Sequence, residues 1–246
     1  MNLNIKREEL LISQLANLLK NDNHVAVGAA SPIPGAAALL AKEEAKNFKK
    51  RLRVTILHSN KYNNFTDGAR ELFDCAAQGR IDTFFLGGVQ IDGNANINLV
   101  GTGEYPNVDK RFPGSFGSPL MYFVVPQIIL FREEHSPRTL VKNVDFISAP
   151  GVSDDNIYRP GGPKYLLTNR ALFKFNKKQK KFSLYKLNMN ETLDSIIELT
   201  GFDFDVDKDL SEMDLPDKTR IETLRKCIAP MVSEFYPEFA NRIWGV

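Results

Sequence analysis

Between residues 7 and 86, apolar runs of strand length alternate with segments of helical period, and the connections are short. This alternation restricts the fold more than any other feature of the chain. Residues 7–21 place Leu10, Leu11, Leu15, Leu18 and Leu19 on one helical face. Residues 24–29 read as a short buried strand. In Ala30-Ser31-Pro32-Ile33-Pro34-Gly35 each proline pushes its predecessor toward extended geometry. A loop is expected there, with an Ala/Leu-rich helix from about Gly35 to Asn47. Residues 53–58 form a second strand, followed by a polar loop, Ser59-Asn60-Lys61-Tyr62-Asn63-Asn64. Thr66 or Asp67 can cap a helix over about 68–78 that ends at Gly79, and residues 82–86 form a third strand. Such β-loop-α repetition predicts a mostly parallel sheet with helices on its faces, an open three-layer α/β sandwich. Right-handed crossovers put the loops after each strand on one edge, where open α/β sheets bind ligands. The loops 30–35, 59–67 and 87–98 are therefore expected to converge.

The second half has a different pattern. Residues 128–132, 141–148, 165–168, 172–175 and 182–187 read as strands, the last two joined by a basic turn at 176–181. They predict extra antiparallel strands in the C-terminal half. A helix over about 190–199 stops at Gly201, and a last helix over about 218–229 stops at Pro230. No composition break marks a boundary, so residues 1–246 are read as a single domain. The 32 basic and 30 acidic residues leave a formal charge of +2, far from the basic balance of phosphate-backbone binders. Nucleic acid is not an expected partner. Cys75 and Cys227 cannot build a disulfide framework, which suits a reducing compartment, and Cys75 is read as a core residue. The N-terminal residues 1–9 carry Glu8 and Glu9 where an export signal would begin its apolar region. The longest apolar stretch, 120–131, is broken by Pro126 and Gln127 and falls short of the ~20 residues that span a bilayer. It is read as a buried strand and part of a subunit interface. A soluble, cytoplasmic protein with no membrane contact is expected.

Several chemistries are excluded by spacing. His24, His58 and His135 lie far apart and show no metal-ligand pattern, so no metal is expected. Neither a Gly-x-Ser-x-Gly elbow nor a phosphate-binding Gly-x-x-x-x-Gly-Lys-Ser/Thr loop occurs. Gly101-Thr102-Gly103 lacks the third glycine of a dinucleotide fingerprint. The run from Asp92 resembles a calcium loop only superficially, because Ile97 and Gly103 stand where the turn glycine and the closing glutamate belong. Lys177 to Lys181 reads as a solvated hairpin tip, with an electrostatic clamp on phosphates as the alternative.

What remains unusual is Gly87-Gly88-Val89-Gln90-Ile91-Asp92-Gly93-Asn94-Ala95-Asn96-Ile97-Asn98. Turn chemistry in a β-hairpin with Asp-Gly at its tip explains Asp92, Gly93 and Asn94. It does not explain Gln90, Asn96 and Asn98, whose amides can either hydrogen-bond a polar, uncharged ligand such as a pantetheine arm or lock neighbouring loops.

With Phe85 and Leu86 before it, this string resembles the "Gly-Ala-x-Gln-Val-Asp-x-x-Gly-Asn-x-Asn" signature of the β subunits of family I CoA transferases. Within that family the pattern is most similar to the β subunit of glutaconate CoA-transferase and its relatives in steroid-ring degradation. Other strings agree in order: Gly28 to Ala37 is similar to the proline-containing loop after the first strand, and Gly101 to Pro106 with Arg111 to Gly117 is similar to the "Gly-x-x-x-x-Pro … Pro-Gly-x-Gly-Gly" stretch. Val144 to Ser148 and Glu198 to Phe202 match two later strings, so the likeness covers about residues 8–230. The resemblance implies a roughly seven-stranded, mostly parallel open sheet. It also implies a homologous α subunit as partner, in a heterodimer or heterotetramer, with an active site shared between the two. A coenzyme A thioester is then the substrate, with no permanently bound cofactor. In the transferases a glutamate attacks the thioester, and glycine-loop amides can stabilise the oxyanion. On this likeness Ser31, Pro32, Ile33, Pro34, Gln90, Asp92, Asn94, Asn96, Asn98, Gly114, Ser115, Phe116 and Gly117 are candidate substrate and CoA contacts, and Ser59 and Asn60 candidate catalytic residues.

The sequence departs from the family pattern at its centre. The nucleophile string "Ser-Glu-Asn-Gly" corresponds to His58-Ser59-Asn60-Lys61, so Ser59 stands at the glutamate. A serine hydroxyl is nearly unionised at neutral pH, and His58, its strand neighbour, is badly placed to activate it. Ser59 is read as positioning or hydrogen-bonding more than as a nucleophile. Phe116 interrupts the glycine loop, where it either narrows a CoA channel, packs on an adenine or acyl group, or anchors a core. Glu104 is the nearest carboxylate to the signature loops and a candidate substitute base. Four readings stay open: a transferase whose carboxylate comes from elsewhere, a ring-opening hydrolase with its glutamate on the α subunit, a non-catalytic thioester-binding subunit, and a sugar-phosphate isomerase or sensor. The last lacks the amide-rich string.

Overall fold

The computed structural model describes residues 4–246; Met1, Asn2 and Leu3, the start of the segment read for an export signal, lie outside the described residues. In chain order the first elements are α1 (Arg7–Leu18), β1 (His24–Val27), α2 (Pro32–Asn47), β2 (Arg53–Ile56), α3 (Gly68–Ala77), β3 (Thr83–Leu86), β4 (Gln90–Ile91), β5 (Ile97–Asn98), β6 (Gly101–Thr102) and β7 (Lys110–Arg111). After these come α4 (Ser118–Val124), β8 (Gln127–Phe131), β9 (Pro163–Leu167), β10 (Ala171–Asn176), β11 (Lys181–Leu187), α5 (Leu193–Leu199) and β12 (Asp205–Glu212). The chain ends with α6 (Lys218–Thr223), a π-helical stretch Leu224–Ile228, α7 (Ala229–Ser233) and α8 (Pro237–Trp244). It divides into two compact units, one of residues 4–66, Ile81–Phe85 and Asp214–Val246, the other of Asp67–Arg80 and Leu86–Met213.

In the first unit β1 pairs in parallel with β2, His24 opposite Arg53 and Val27 opposite Ile56, and in parallel with β3. Every residue of β1 is buried, as expected of a strand covered on both faces. α1 packs on α2 through Leu11, Ile12, Leu15, Leu19 and the buried run Ala36 to Ala41. The sequence misplaces the start of α2. The helix begins at Pro32, with Ile33 and Pro34 buried in its first turn. A proline there gives up only an N–H that has no intrahelical partner. Pro230 likewise does not stop the last helix. Its missing N–H leaves the Lys226 carbonyl without an α-helical donor, and the π-helical stretch Leu224–Ile228 widens the turn there before α7 continues. α8 is a further helix that the sequence reading did not include. The unit is tied internally by Glu9 of α1, a fully buried carboxylate. It accepts from Arg225 Nε at 2.7 Å and Nη2 at 2.8 Å, from the Lys6 amide at 2.9 Å and from Trp244 Nε1 at 3.2 Å.

In the second unit β8 and β9 pair in parallel, β9 with β10 and β10 with β11 antiparallel, and β11 with β12 in parallel. The longer strands thus pair in parallel for β1–β2, β1–β3, β8–β9 and β11–β12, with β9–β10 and β10–β11 antiparallel late in the chain, while the two-residue pairs β4–β5 and β6–β7 are antiparallel. Phe173, Phe182 and Phe202 form the centre of an aromatic core, with ring centroids 5.5–6.5 Å apart. Residues 141–148, read as a strand, are bends and irregular backbone; single bridges flank them, Ile91 to Leu140 and Ile97 to Ala149, and the Val141 and Ser148 amides donate to the Ile91 and Ile97 carbonyls. β12, with the sequence Asp-Val-Asp-Lys-Asp-Leu-Ser-Glu, has no buried residue and reads as loop by composition. Its charges suit an edge strand. The apolar stretch 120–131 is split between α4 and β8 at Pro126, rather than forming one strand. Cys75 is half-buried, not in the core, while Leu72 and Ala76 of its helix are buried.

His135 is buried in this unit, with Nδ1 2.8 Å from Thr168 Oγ1 and Nε2 3.0 Å from Thr200 Oγ1. Burial, with the nearby Arg170 adding to it, pulls its pKa down from 6.5 to about 4. The fold therefore holds it neutral while the unfolded chain takes up a proton below 6.5. Stability is expected to fall as pH drops from 6.5 toward 4, by on the order of 3 kcal/mol from this residue. Urea midpoints at pH 7 and pH 4.5 check it: His135→Gln should flatten the difference, and an unchanged slope would refute the assignment.

Candidate active site

In the first unit the carboxyl ends of β1 and β2 carry two of the three loops that the alternation singles out; the third, 87–98, belongs to the second unit. After β2 the chain turns at once: the Ser59 amide donates to the Ile56 carbonyl at 3.1 Å. Ser59 Oγ accepts from the Lys61 amide at 3.1 Å and the Tyr62 amide at 3.0 Å, and donates to Glu234 Oε2 at 2.6 Å. The Asn60 amide donates to Glu234 Oε1 at 3.0 Å. Ser59 is buried, whereas Asn60 and Glu234 are exposed. The hydroxyl of Ser59 thus has both lone pairs and its proton committed, and the proton goes to Glu234, not to His58. After β1, Ala30 has a left-handed φ of 54° and the Ser31 amide donates to Tyr236 Oη at 2.8 Å. The Ser31 hydroxyl donates to the Ala29 carbonyl at 3.1 Å. Tyr236 stacks on His58, centroids 5.1 Å apart at 6°. Burial raises the phenol's pKa, with the Ser31 and Ala30 amides opposing the rise.

The segment between α7 and α8 therefore pins both loops: Glu234 on the β2 turn, Tyr236 on the β1 turn. Phe235 between them is buried and meets Tyr62 edge-on at 6.4 Å. Sequence reasoning missed all three residues. No spacing relates positions 31 and 59 to 234–236, and the only signal was a run of two aromatics before Pro237. Of the candidates here, Ser31, Ser59 and Asn60 come together through this segment. Pro32 is half-buried, and Ile33 and Pro34 face the interior.

In the second unit the amide-rich string folds as a hairpin with Gln90 opposite Asn98 and Ile91 opposite Ile97. Its turn spans 92–96 and takes its positive φ at Ala95, 60°, instead of at Gly93. Gln90, Asp92 and Asn98 are buried, Asn96 is half-buried and Asn94 is exposed. Asn98 donates to Gln90 Oε1 at 2.8 Å and the Gly101 carbonyl at 2.7 Å, and accepts from the Val100 and Gly101 amides. Gln90 donates to Asp145 Oδ2 at 3.0 Å and accepts from the Asp145 amide at 3.0 Å. Asp92 accepts from the Asn94 and Asn96 amides and from Asn96 Nδ2, all at 3.0 Å, and Asn96 Oδ1 accepts from the Gly151 amide at 3.0 Å. Gly151 lies so close that a Cβ there would meet the Asn94 carbonyl at 2.1 Å. These side chains hold loops 100–103 and 144–151 to the hairpin. Exposed Asn94 lines a groove of about 520 Å³ with Lys142, Lys180 and Lys181.

The glycine loop lies in the same unit. Gly114 (φ 102°) and Phe116 (φ 44°) are both left-handed. Gly114 and Ser115 are half-buried, and Phe116 is 85% exposed with its ring 5.8 Å from Phe73. Phe116 is no core anchor. Gly117 abuts the same Phe73 ring, which a Cβ would meet at 2.1 Å. Glu104 is exposed on the neighbouring loop. Arg159, not found by sequence, is buried and donates to the Pro150 carbonyl and the Tyr122 carbonyl, each at 2.9 Å. Among the described residues no group of three or more His, Cys, Asp or Glu could hold a metal ion, and no helix is long and apolar enough to cross a membrane.

An α/β scaffold with polar turns at its strand ends defines a class that hosts many unrelated activities. Within it the match is specific: the Coenzyme A transferase family model matches residues 5–189, and the chain belongs to that family. It is 31% identical over 153 residues to the β subunit of glutaconate CoA-transferase of Acidaminococcus fermentans, covering 59% of this chain and 56% of that relative. The chain thus matches little more than half the length of that relative. The crystal structure of glutaconate coenzyme A-transferase from the same organism superposes with a TM-score of 0.79 at 22% identity, covering 94% of this chain and 97% of the other. The decarboxylase AibA/AibB gives 0.76 at 21% identity, covering 99% and 100%.

Proposed function

We propose that the chain is a β-type subunit of an acyl-CoA-handling enzyme that transfers coenzyme A between carboxylic acids, its active site completed by a homologous α-type subunit. The observation that carries this reading is the polar construction at the carboxyl ends of β1 and β2. There a buried serine and a backbone amide present an exposed carboxylate. A thioester is attacked well by a carboxylate, because the resulting anhydride stays as activated as the thioester. Ser59 and Asn60 act as positioning groups and Ser31 belongs to the same turn cluster; the Gly114–Ser115–Phe116–Gly117 loop of the second unit is by itself a candidate acyl-CoA contact. The internal bonding of Gln90, Asp92, Asn96 and Asn98 supports a loop-locking role for these four, with Asn94 left for ligand contact. The 85% exposure of Phe116 and 87% exposure of Tyr158 support a partner surface on the second unit.

A ring-opening hydrolase is the second reading, favoured by Ser59 at the family's glutamate position. Co-expression with the neighbouring reading frame is expected to yield a stoichiometric complex. Incubating it with an acyl-CoA panel and labelled free acids separates the readings. Label entering the thioester pool means transfer; free CoA or a ring-opened acid without label exchange means hydrolysis. A chain that purifies alone as a stable monomer and binds no neighbour would refute the partner claim.

A further inference from the structure

We propose that Glu234 is the carboxylate that receives the acyl group, supplied from the C-terminal helical segment instead of the strand-end turn. The inference rests on the acyl-CoA reading above and names the reacting residue. The carboxylate is exposed at the edge where parallel strands of an open α/β sheet present ligand sites. Its two donors, the Ser59 hydroxyl and the Asn60 amide, each take one lone pair on a different oxygen and leave the others for reaction. Its backbone is fixed on the following side by buried Phe235 and by Tyr236, whose hydroxyl receives the Ser31 amide. The residue lies beyond the family-matched stretch, 5–189, and so outside the part of the chain that the family pattern describes.

The chemistry closes without another reactant. A Glu234 carboxylate oxygen bonds to the thioester carbonyl carbon, the C–S bond breaks, and CoA leaves as thiolate with the electron pair. The thiolate then attacks Glu234 Cδ of the mixed anhydride, the Cδ–O bond to the acyl group breaks, and the donor acid departs as carboxylate. Glu234 now holds CoA as a thioester. An acceptor carboxylate reverses both steps and leaves with the CoA. At each attack on Cδ the oxyanion forms on an oxygen that the Asn60 amide or Ser59 hydroxyl already faces, which is the arrangement that stabilises it. Ser59 is a positioning residue in this scheme.

The test uses the co-purified complex, with acetyl-, succinyl- and glutaryl-CoA as donors and labelled acetate, succinate and glutarate as acceptors. Borohydride added during turnover reduces a glutamyl thioester to an alcohol, which peptide mass spectrometry locates. Reduction is expected at Glu234 in the wild-type complex. Glu234→Gln, an isostere whose carbonyl still accepts from the Asn60 amide, is expected to lose label exchange by about 10⁴-fold or more while melting close to the wild-type temperature. Ser59→Ala is expected to lower kcat far more than it raises KM. Exchange with the reduced residue elsewhere, or undiminished exchange in Glu234→Gln, overturns the role of Glu234 and leaves the acyl-CoA reading standing. Absence of exchange and of thioester cleavage across the whole panel overturns both.

Discussion

Arg225→Leu is expected to destabilise the chain by about 3 kcal/mol or more and to lower its melting temperature by roughly 10 °C. Arg225 gives two of the four hydrogen bonds to the Glu9 carboxylate, which is fully buried. Burial alone would raise the pKa of Glu9. The Arg225 guanidinium, the Lys6 amide and Trp244 more than offset that and hold it below its usual value. Taking the guanidinium away leaves a desolvated anion with only an amide and an indole donor, which is the costly half of breaking a buried pair. The deficit should shrink on acidification, because a protonated Glu9 no longer buries a charge. Glu9→Leu combined with Arg225→Leu should recover much of the loss, since neither charge is then stranded. Calorimetry of the three variants checks it. A double variant no better than Arg225→Leu would mean that the guanidinium matters by its packing and its bond to the Asn4 carbonyl.

That pair also bears on the site. Arg225 sits in the π-helical stretch, and Trp244 in α8, on either side of Glu234 and Tyr236. The C-terminal segment is therefore anchored to α1 on both sides of the residues that meet the two strand-end loops. None of this was legible in the sequence. Glu9 and Arg225 are separated by most of the chain, and an acidic residue in a first helical turn reads as dipole complementarity on a wet face. The same limit applies to Glu234. Local pattern identified the loops after β1 and β2, because alternation and turn residues act over a few positions. It could not identify what closes on them from the far end. Where local rules misled, a specific geometry prevailed. Pro32 and Pro34 read as loop, but the first helical turn has no donor to lose. β12 carries five charged residues in eight and no buried position, and its strand state comes from pairing with β11 rather than from propensity. The amide string stands out in the sequence, and both ligand contact and loop locking fit it there. Deciding between them requires knowing that Asp145 and Gly151 come within hydrogen-bond distance of it, which is tertiary information.

The amides divide into two sets with opposite expected behaviour, and Asn98→Ala against Asn94→Ala is the sharpest comparison. Asn98 is fully buried and makes four hydrogen bonds, two as donor and two as acceptor. Truncation leaves the Val100 and Gly101 amides, the Gly101 carbonyl and Gln90 Oε1 short of partners in a buried place, where each unsatisfied group costs about 1–3 kcal/mol. Water entering the vacated volume recovers part of that, so a loss of about 3–5 kcal/mol is expected. Asn94 is exposed, with its amide N–H rather than its side chain on Asp92. Asn94→Ala should therefore leave stability within about 0.5 kcal/mol of wild type. If Asn94 meets the ligand, its truncation raises KM for acyl-CoA in the complex without lowering the melting temperature. The decisive reversal would be Asn98→Ala melting like wild type while acyl-CoA binding falls. The buried amides would then be ligand contacts opened by the partner subunit, and the hairpin would be part of the reactive surface instead of its support.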